Sequence, residues 1–205
     1  MPKQKTKDST PWVVRHFPKV LMVIAIVGFV ASMVLTVEKI HFLKDPSYQP
    51  SCNISPLISC GSVMATAAAD IYGVPNTLVG VVGFSMLGTI AFALLAGAKF
   101  KRWFWLSMQA GAVFGLIFVH YLIIQSIFII NTLCPYCMAV WLVAIPMFVY
   151  VTLFNLAEGH IRVQKKYVKA KDFLIRHHAD ILVGWFVAIL AAILWRFWYY
   201  WSTLL

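Results

Sequence analysis

The chain has 205 residues, of which 61% are hydrophobic and only 12% charged, about half the roughly 25% charged fraction of a soluble globular domain. That deficit, spread along most of the length, excludes an ordinary water-soluble protein. The formal net charge is +10, but no long basic block is interleaved with aromatic residues, so nucleic acid is excluded as a partner.

A helix needs about 20 apolar residues to cross the hydrocarbon core of a bilayer. Residues 1–17 form a basic leader. The first apolar stretch runs from about Pro18 to Ile40, with an uncharged centre from Val20 to Val37. It is followed by Glu38-Lys39-Ile40-His41-Phe42-Leu43 rather than by a small-residue cleavage site, so it reads as a retained helix and not a signal peptide. A loop over 41–75 comes next. Leu57, Ile58, Val63, Met64, Ala67, Ala68 and Ile71 recur there at roughly helical spacing, which predicts a short amphipathic lid helix over the bundle mouth.

The second span runs from about Asn76 to Ala98 and the third from about Trp103 to Ile130. Gly111 and Gly115 form a GxxxG pair that predicts close helix packing, as do Gly80, Gly83 and Gly88. His120 and Gln125 are costly in lipid and are expected to face the interior in packing or hydrogen-bonding roles. After the turn Asn131-Thr132-Leu133-Cys134, a fourth span runs from about Pro135 to Leu156. A basic linker over 157–178 leads to the fifth span, Ala179 to Trp201, within 179–205. Arg196 there is surrounded by aromatic residues, as at a membrane surface where an arginine snorkels to headgroups.

The basic residues of the leader, of the turn at Lys99, Lys101 and Arg102, and of the 157–178 linker would share one side of the membrane. Only Lys39, Lys44 and Arg196 fall on the other. Positive charge marks the cytoplasmic side, so the N-terminus is expected inside and the C-terminus outside. All four cysteines, Cys52, Cys60, Cys134 and Cys137, then lie in the two outer segments.

Cys134-Pro135-Tyr136-Cys137 is a CxxC motif that opens a span. Proline fits the first helical position, which leaves Cys134 at the cap. Helix N–H groups and the helix dipole favour a thiolate there. Cys137 lies one turn deeper on the same face, closer to hydrocarbon. Cys52 and Cys60 are separated by seven residues and are read as a bridge or a mobile pair. The spacing alone leaves three arrangements open: two structural disulfides, a four-cysteine zinc site of irregular spacing, or a redox relay exchanging disulfides between the pairs.

Ser51-Cys52, Ser59-Cys60-Gly61-Ser62, Tyr72-Gly73-Val74-Pro75-Asn76 and Cys134-Pro135-Tyr136-Cys137, in this order, resemble the bacterial homologues of the vitamin K epoxide reductase family over about residues 18–156. The resemblance implies an all-α membrane protein, a four-helix bundle around a quinone, here joined by a fifth transmembrane helix. It implies a thiol-disulfide oxidoreductase that oxidises an extracytoplasmic thioredoxin-like (DsbA-like) partner and reduces a quinone of the menaquinone, phylloquinone or ubiquinone type. Carried over by position, Cys52 exchanges with the partner, Cys60 bridges to Cys134, and Cys137 faces the quinone. Asn76 hydrogen-bonds a quinone carbonyl, although it also reads as a helix cap. Trp141 stands where the animal enzyme has a tyrosine and offers its indole N–H as a second quinone contact. Asn53 replaces the family aspartate beside the first loop cysteine. Some bacterial members carry a fused thioredoxin-like domain after the fifth helix; here the partner is expected to be a separate protein, and no metal is expected.

Two rival readings follow. The disulfide-bond protein B family has the two cysteine motifs in the opposite order. A non-enzymatic membrane scaffold or metal carrier would use the cysteines structurally.

Overall fold

The computed structural model describes residues 12–45, 47–71 and 73–202, without the side chain of Trp201. Lys3, Lys5 and Lys7 of the leader and Tyr72 of the outer-loop motif lie outside the described residues. The described chain is all-α. Its order is α1 (Trp12–Lys44), α2 (Cys60–Met64), a 3₁₀ turn (Ala67–Ala69), α3 (Asn76–Leu95), α4 (Arg102–Ile124), a π-helical turn (Gln125–Ile130) and α5 (Pro135–Ala157). A second 3₁₀ turn (Lys165–Tyr167), α6 (Val168–Arg176), α7 (His178–Arg196) and α8 (Trp198–Ser202) complete it. Among the described residues, five helices are long and apolar enough to cross a membrane, with α4 and the π turn acting as one span. The protein is therefore a multi-pass membrane protein.

The spans begin and end close to the expected positions, with informative differences. α1 starts at Trp12, so Pro18 lies inside the helix instead of opening it. α3 stops at Leu95 because Gly97, with φ at +91°, closes a Schellman motif: the Gly97 N–H donates to Leu94 O and the Ala98 N–H to Ala93 O. The basic linker is not extended chain but holds α6, an amphipathic nine-residue helix. The aromatic C-terminal stretch breaks at Phe197, which separates α7 from α8.

α1 is the hub. Phe17, Leu21, Ile24, Ala31 and Leu35 are buried along one stripe, while Val23, Ile26, Val30 and Val37 face outward. That is the 3.6-residue period of a helix with one packed face, its other face apolar because the surrounding solvent is lipid. α1 packs along both α3 and α5, and α4 packs along α5. α3 and α4 share no comparable seam, although a short turn joins them. The four helices thus enclose a cavity with its slot between α3 and α4.

The glycines divide between two jobs. Gly28 and Gly80 set the α1–α3 seam: an added Cβ would strike the Phe84 ring at the first and the Ser32 hydroxyl at the second. Gly111 and Gly115, expected to bring helices together, do not. A Cβ on Gly111 would meet nothing within 4 Å, and one on Gly115 would only touch the Met147 methyl at 3.4 Å. Both line the cavity.

α7, the fifth span, has no buried residue and packs on α5 and the π turn. It is tied to α4 by Trp185, whose Nε1–H donates to His120 Nε2 at 3.0 Å. Trp N–H is only a donor, so His120 Nε2 is the acceptor and its Nδ1–H donates to Leu116 O at 2.8 Å. His120 therefore makes the hydrogen bonds expected of it, but toward the fifth helix and not into the four-helix cavity.

Candidate disulfide-exchange site and its cavity

The site is assembled from two segments between spans that are far apart in sequence. Residue 58 pairs with residue 133 as an isolated parallel bridge. The Leu133 N–H donates to Leu57 O at 2.8 Å and the Ser59 N–H to Leu133 O at 3.0 Å. This bridge sets Cys60 beside Cys134. Cys52 and Cys60 form a disulfide, while Cys134 and Cys137 are free thiols. Cys134 Sγ lies 3.1 Å from Cys60 Sγ. All four cysteines named from the sequence therefore meet at one end of the bundle, with Cys52, Cys60 and Cys134 buried and Cys137 half-buried.

Cys134 is the N-cap of α5, with Pro135 following, and its sulfur accepts the Cys137 N–H at 3.4 Å. The Cys137 thiol beside it, followed by the backbone N–H groups of the first turn, holds the Cys134 thiol below its ordinary range against the opposing effect of burial. The thiolate is the attacking species in disulfide exchange and the better leaving group when its pKa is low. Exchange at Cys134 should therefore stay fast as pH falls through the usual thiol range near about 8.5, and slow only below it. Acid-quenched alkylation and peptide mapping across pH would measure this; a rate that drops in step with a free model thiol would contradict it.

The lid is not the single amphipathic helix expected. It is broken into α2 and the 3₁₀ turn. The reason lies in α1. Lys39 is 4% exposed, and its Nζ donates to Met64 O at 2.6 Å and to Asp70 Oδ2 at 2.9 Å. The Met64 carbonyl is thus taken by the ammonium group at the end of α2, where a continuing helix would need it. Neighbouring Glu38 holds the other flank of the loop. Its carboxylate accepts the Tyr48 hydroxyl at 2.9 Å and the Ser51 hydroxyl at 2.5 Å. Adjacent residues of opposite charge thereby clasp both sides of the disulfide loop. Lys39→Ala should cost about 1–2 kcal/mol, at the low end for charged hydrogen bonds because Asp70 is partly exposed. A lower melting temperature with faster alkylation of Cys134 is the expected readout; unchanged values of both would show that the clasp is not stabilising.

Asn53 is the centre of the disulfide loop. Its Oδ1 accepts the Ser59 hydroxyl and the Gly61 N–H, both at 2.9 Å. Ser59 in turn caps α2 by accepting the Ser62 N–H at 3.2 Å. A neutral amide thus organises the loop through hydrogen bonds. Neither this role nor the Glu38–Lys39 clasp was read from the sequence; a charged pair at the end of an apolar span was the available signal.

Below the sulfurs lies a cavity of about 470 Å³, overwhelmingly apolar, whose lining runs from Cys60, Cys134 and Cys137 down to Phe104 and Met108. This is within the usual size of a small-molecule site. Trp141, 4% exposed, and Asn76 both line it. Asn76 is the first residue of α3 and not its cap, which is Pro75. Its side chain reaches back to the lid instead: Nδ2–H donates to Ala68 O at 2.6 Å, and Oδ1 accepts the Ile71 N–H at 3.3 Å. A long apolar chamber with a thiol at its outer end and a lateral slot suits a hydrophobic molecule with a small polar head.

Compared with known protein families, residues 19–152 match the vitamin K epoxide reductase family. The matched region is more than half of the chain and contains all four cysteines. The chain belongs to the vitamin K epoxide reductase family. It is accordingly a membrane oxidoreductase that works through disulfide chemistry, and its fold is the all-α membrane fold expected from the sequence. Members of this family use quinones, and the chamber beneath Cys137 has the size and lining for one.

Proposed function

We propose that this vitamin K epoxide reductase family protein oxidises a separate thioredoxin-like protein outside the cytoplasm and passes the electrons through its two cysteine pairs to a membrane quinone. The 3.1 Å separation between Cys134 Sγ and Cys60 Sγ carries this reading. It places a free thiol in contact with one sulfur of an existing disulfide, a waste of reactivity in a scaffold and the required geometry for exchange. A quinone of the menaquinone, phylloquinone or ubiquinone type would accept two electrons and two protons.

The steps balance as follows. The partner's dithiol attacks Cys52 of the Cys52–Cys60 disulfide, becomes oxidised and leaves both loop cysteines reduced. The Cys60 thiolate attacks Cys134 of a Cys134–Cys137 disulfide, forming the Cys60–Cys134 bond and releasing Cys137. Cys52 attacks Cys60, restoring the loop disulfide and freeing the Cys134 thiolate. The Cys134–Cys137 dithiol then gives its electron pair and protons to the acceptor and closes to a disulfide. A loop disulfide beside a free CxxC pair is the arrangement that would follow internal exchange and precede the last step.

Asn76 and Trp141 would contact the head group. Asn76 has one N–H left after bonding Ala68, and the indole N–H of Trp141 is a donor. Cys52 is only 5% exposed, so the partner must displace the strap held by Glu38 to reach it. The excess of basic residues on the opposite side of the spans supports an extracytoplasmic position for this end and the C-terminus.

The test is reconstitution in proteoliposomes with a reduced thioredoxin-like protein and quinone, followed by quinone absorbance. Turnover should be lost in Cys52→Ala with the protein partner as reductant. Turnover independent of Cys52, or a loop disulfide that resists mild reduction, would favour a structural role for the pair.

A further inference from the structure

We propose that Gln125 and Thr77 donate hydrogen bonds to the carbonyl oxygens of the quinone head group, Gln125 from the π turn after α4 and Thr77 from the first turn of α3. This rests on the quinone-reducing role proposed above and names the groups that would hold the acceptor in that same cavity.

The starting point is a polar group without a partner. Thr77 Oγ1 is buried and makes no hydrogen bond among the described residues. Four hydroxyls in the spans are satisfied by the carbonyl four residues earlier: Thr36 on Ser32 O, Ser85 on Val81 O, Thr89 on Ser85 O and Ser107 on Trp103 O. Thr77 cannot do this, because it sits in the first turn of its helix and the residue four back, Gly73, lies outside it. An unpaired hydroxyl away from water costs free energy that folding does not otherwise recover.

Gln125 is half-buried and offers a second polar group. Its carboxamide makes no hydrogen bond to any described residue, and it lines the cavity with Cys134 and Cys137. A carboxamide at the end of a transmembrane helix is expensive without a partner. It begins a π-helical turn over Gln125–Ile130, a distortion that recurs at functional sites because the extra residue per turn re-aims side chains. The turn is held in place without help from Gln125: the Ser126 hydroxyl donates to Thr132 O at 2.5 Å, and Asn131 closes it in the left-handed region at φ 56°. Gln125 is therefore free to serve a ligand.

These two groups sit on different walls at the same outer end of an otherwise apolar chamber. Both can donate to an oxygen acceptor, and the chemistry they select is an apolar body bearing carbonyl oxygens. Hydrogen bonds to those oxygens strengthen as negative charge builds on them during reduction, so the contacts favour both binding and electron acceptance. Asn76, already bonded to the lid, is left with a smaller share of this task.

The experiment uses full-length protein in lipid nanodiscs, titrated with a short-chain quinone and followed by quenching of tryptophan fluorescence. The double variant Thr77→Val with Gln125→Leu should bind about ten-fold more weakly, as expected for the loss of two neutral hydrogen bonds. Exchange between the two cysteine pairs, measured by alkylation, should be unchanged. Thr77→Ser keeps the hydroxyl and should bind like the unmodified protein. Binding by the double variant within about two-fold of the unmodified protein would overturn the assignment, as would equal losses in Thr77→Ser and Thr77→Val. Unmodified protein that exchanges disulfides but binds no quinone would instead overturn the proposed function, and this assignment with it.

Discussion

Replacing Cys137 with alanine should lower quinone reduction by roughly three or more orders of magnitude, the scale seen when a reacting group is removed from an otherwise intact site. Cys137 is the only half-buried sulfur of the four, and it faces the cavity. Without it, the Cys134–Cys137 disulfide that follows electron transfer to the quinone cannot form. The variant carries a second, positive signature. Cys134 remains 3.1 Å from Cys60, so it can still attack the loop disulfide and expel Cys52. Alkylation of Cys52 then traps a Cys60–Cys134 bond that peptide mass mapping would identify. Quinone reduction surviving in Cys137→Ala would break the relay at its last step. A trapped Cys52–Cys134 bond in its place would reverse the roles of the loop cysteines.

Gly111→Phe should raise the KM for quinone by roughly ten-fold or more without harming the fold. An added Cβ at Gly111 meets no neighbour within 4 Å, so the ring projects into the 470 Å³ cavity and occupies space a ligand would need. Replacing glycine by phenylalanine inside a helix also recovers about 0.3–0.5 kcal/mol of helix propensity, so the melting temperature should hold or rise. Exchange between Cys52/Cys60 and Cys134/Cys137 takes place above the obstruction and should continue at its normal rate. This combination separates a blocked chamber from a damaged protein. Unchanged quinone kinetics would show that the acceptor binds elsewhere. Gly28 provides the contrast: a Cβ there strikes the Phe84 ring, so Gly28→Leu should destabilise the α1–α3 seam and reduce every activity together.

The five spans were legible because lipid imposes a one-dimensional rule: about 20 apolar residues with few charges. That rule found the helices within a few residues but could not see what ends them locally. The Schellman turn at Gly97 depends on backbone hydrogen bonds, and α1 runs through Pro18 instead of opening at it. The CxxC motif was equally legible. Proline after a capping cysteine has a local meaning, and the position of Cys134 at the cap of α5 follows from it. Gly80 packs closely as read, but Gly111 and Gly115 were misread, because GxxxG says that a face is smooth and not what covers it. At Gly28 and Gly80 a helix covers it; at Gly111 a cavity lies there.

Composition, spacing and charge pattern by themselves determined the membrane class, the number of spans and the four cysteines, since each depends on residues within one helical stretch or turn. Only the tertiary structure decided which sulfurs touch. The 58–133 bridge that sets Cys60 against Cys134, the clasp of Glu38 and Lys39 on the disulfide loop, and the gap between α3 and α4 all join segments separated by many residues. Their geometry is fixed by hydrogen bonds and packing across the bundle, and such long-range contacts leave no local trace in the chain.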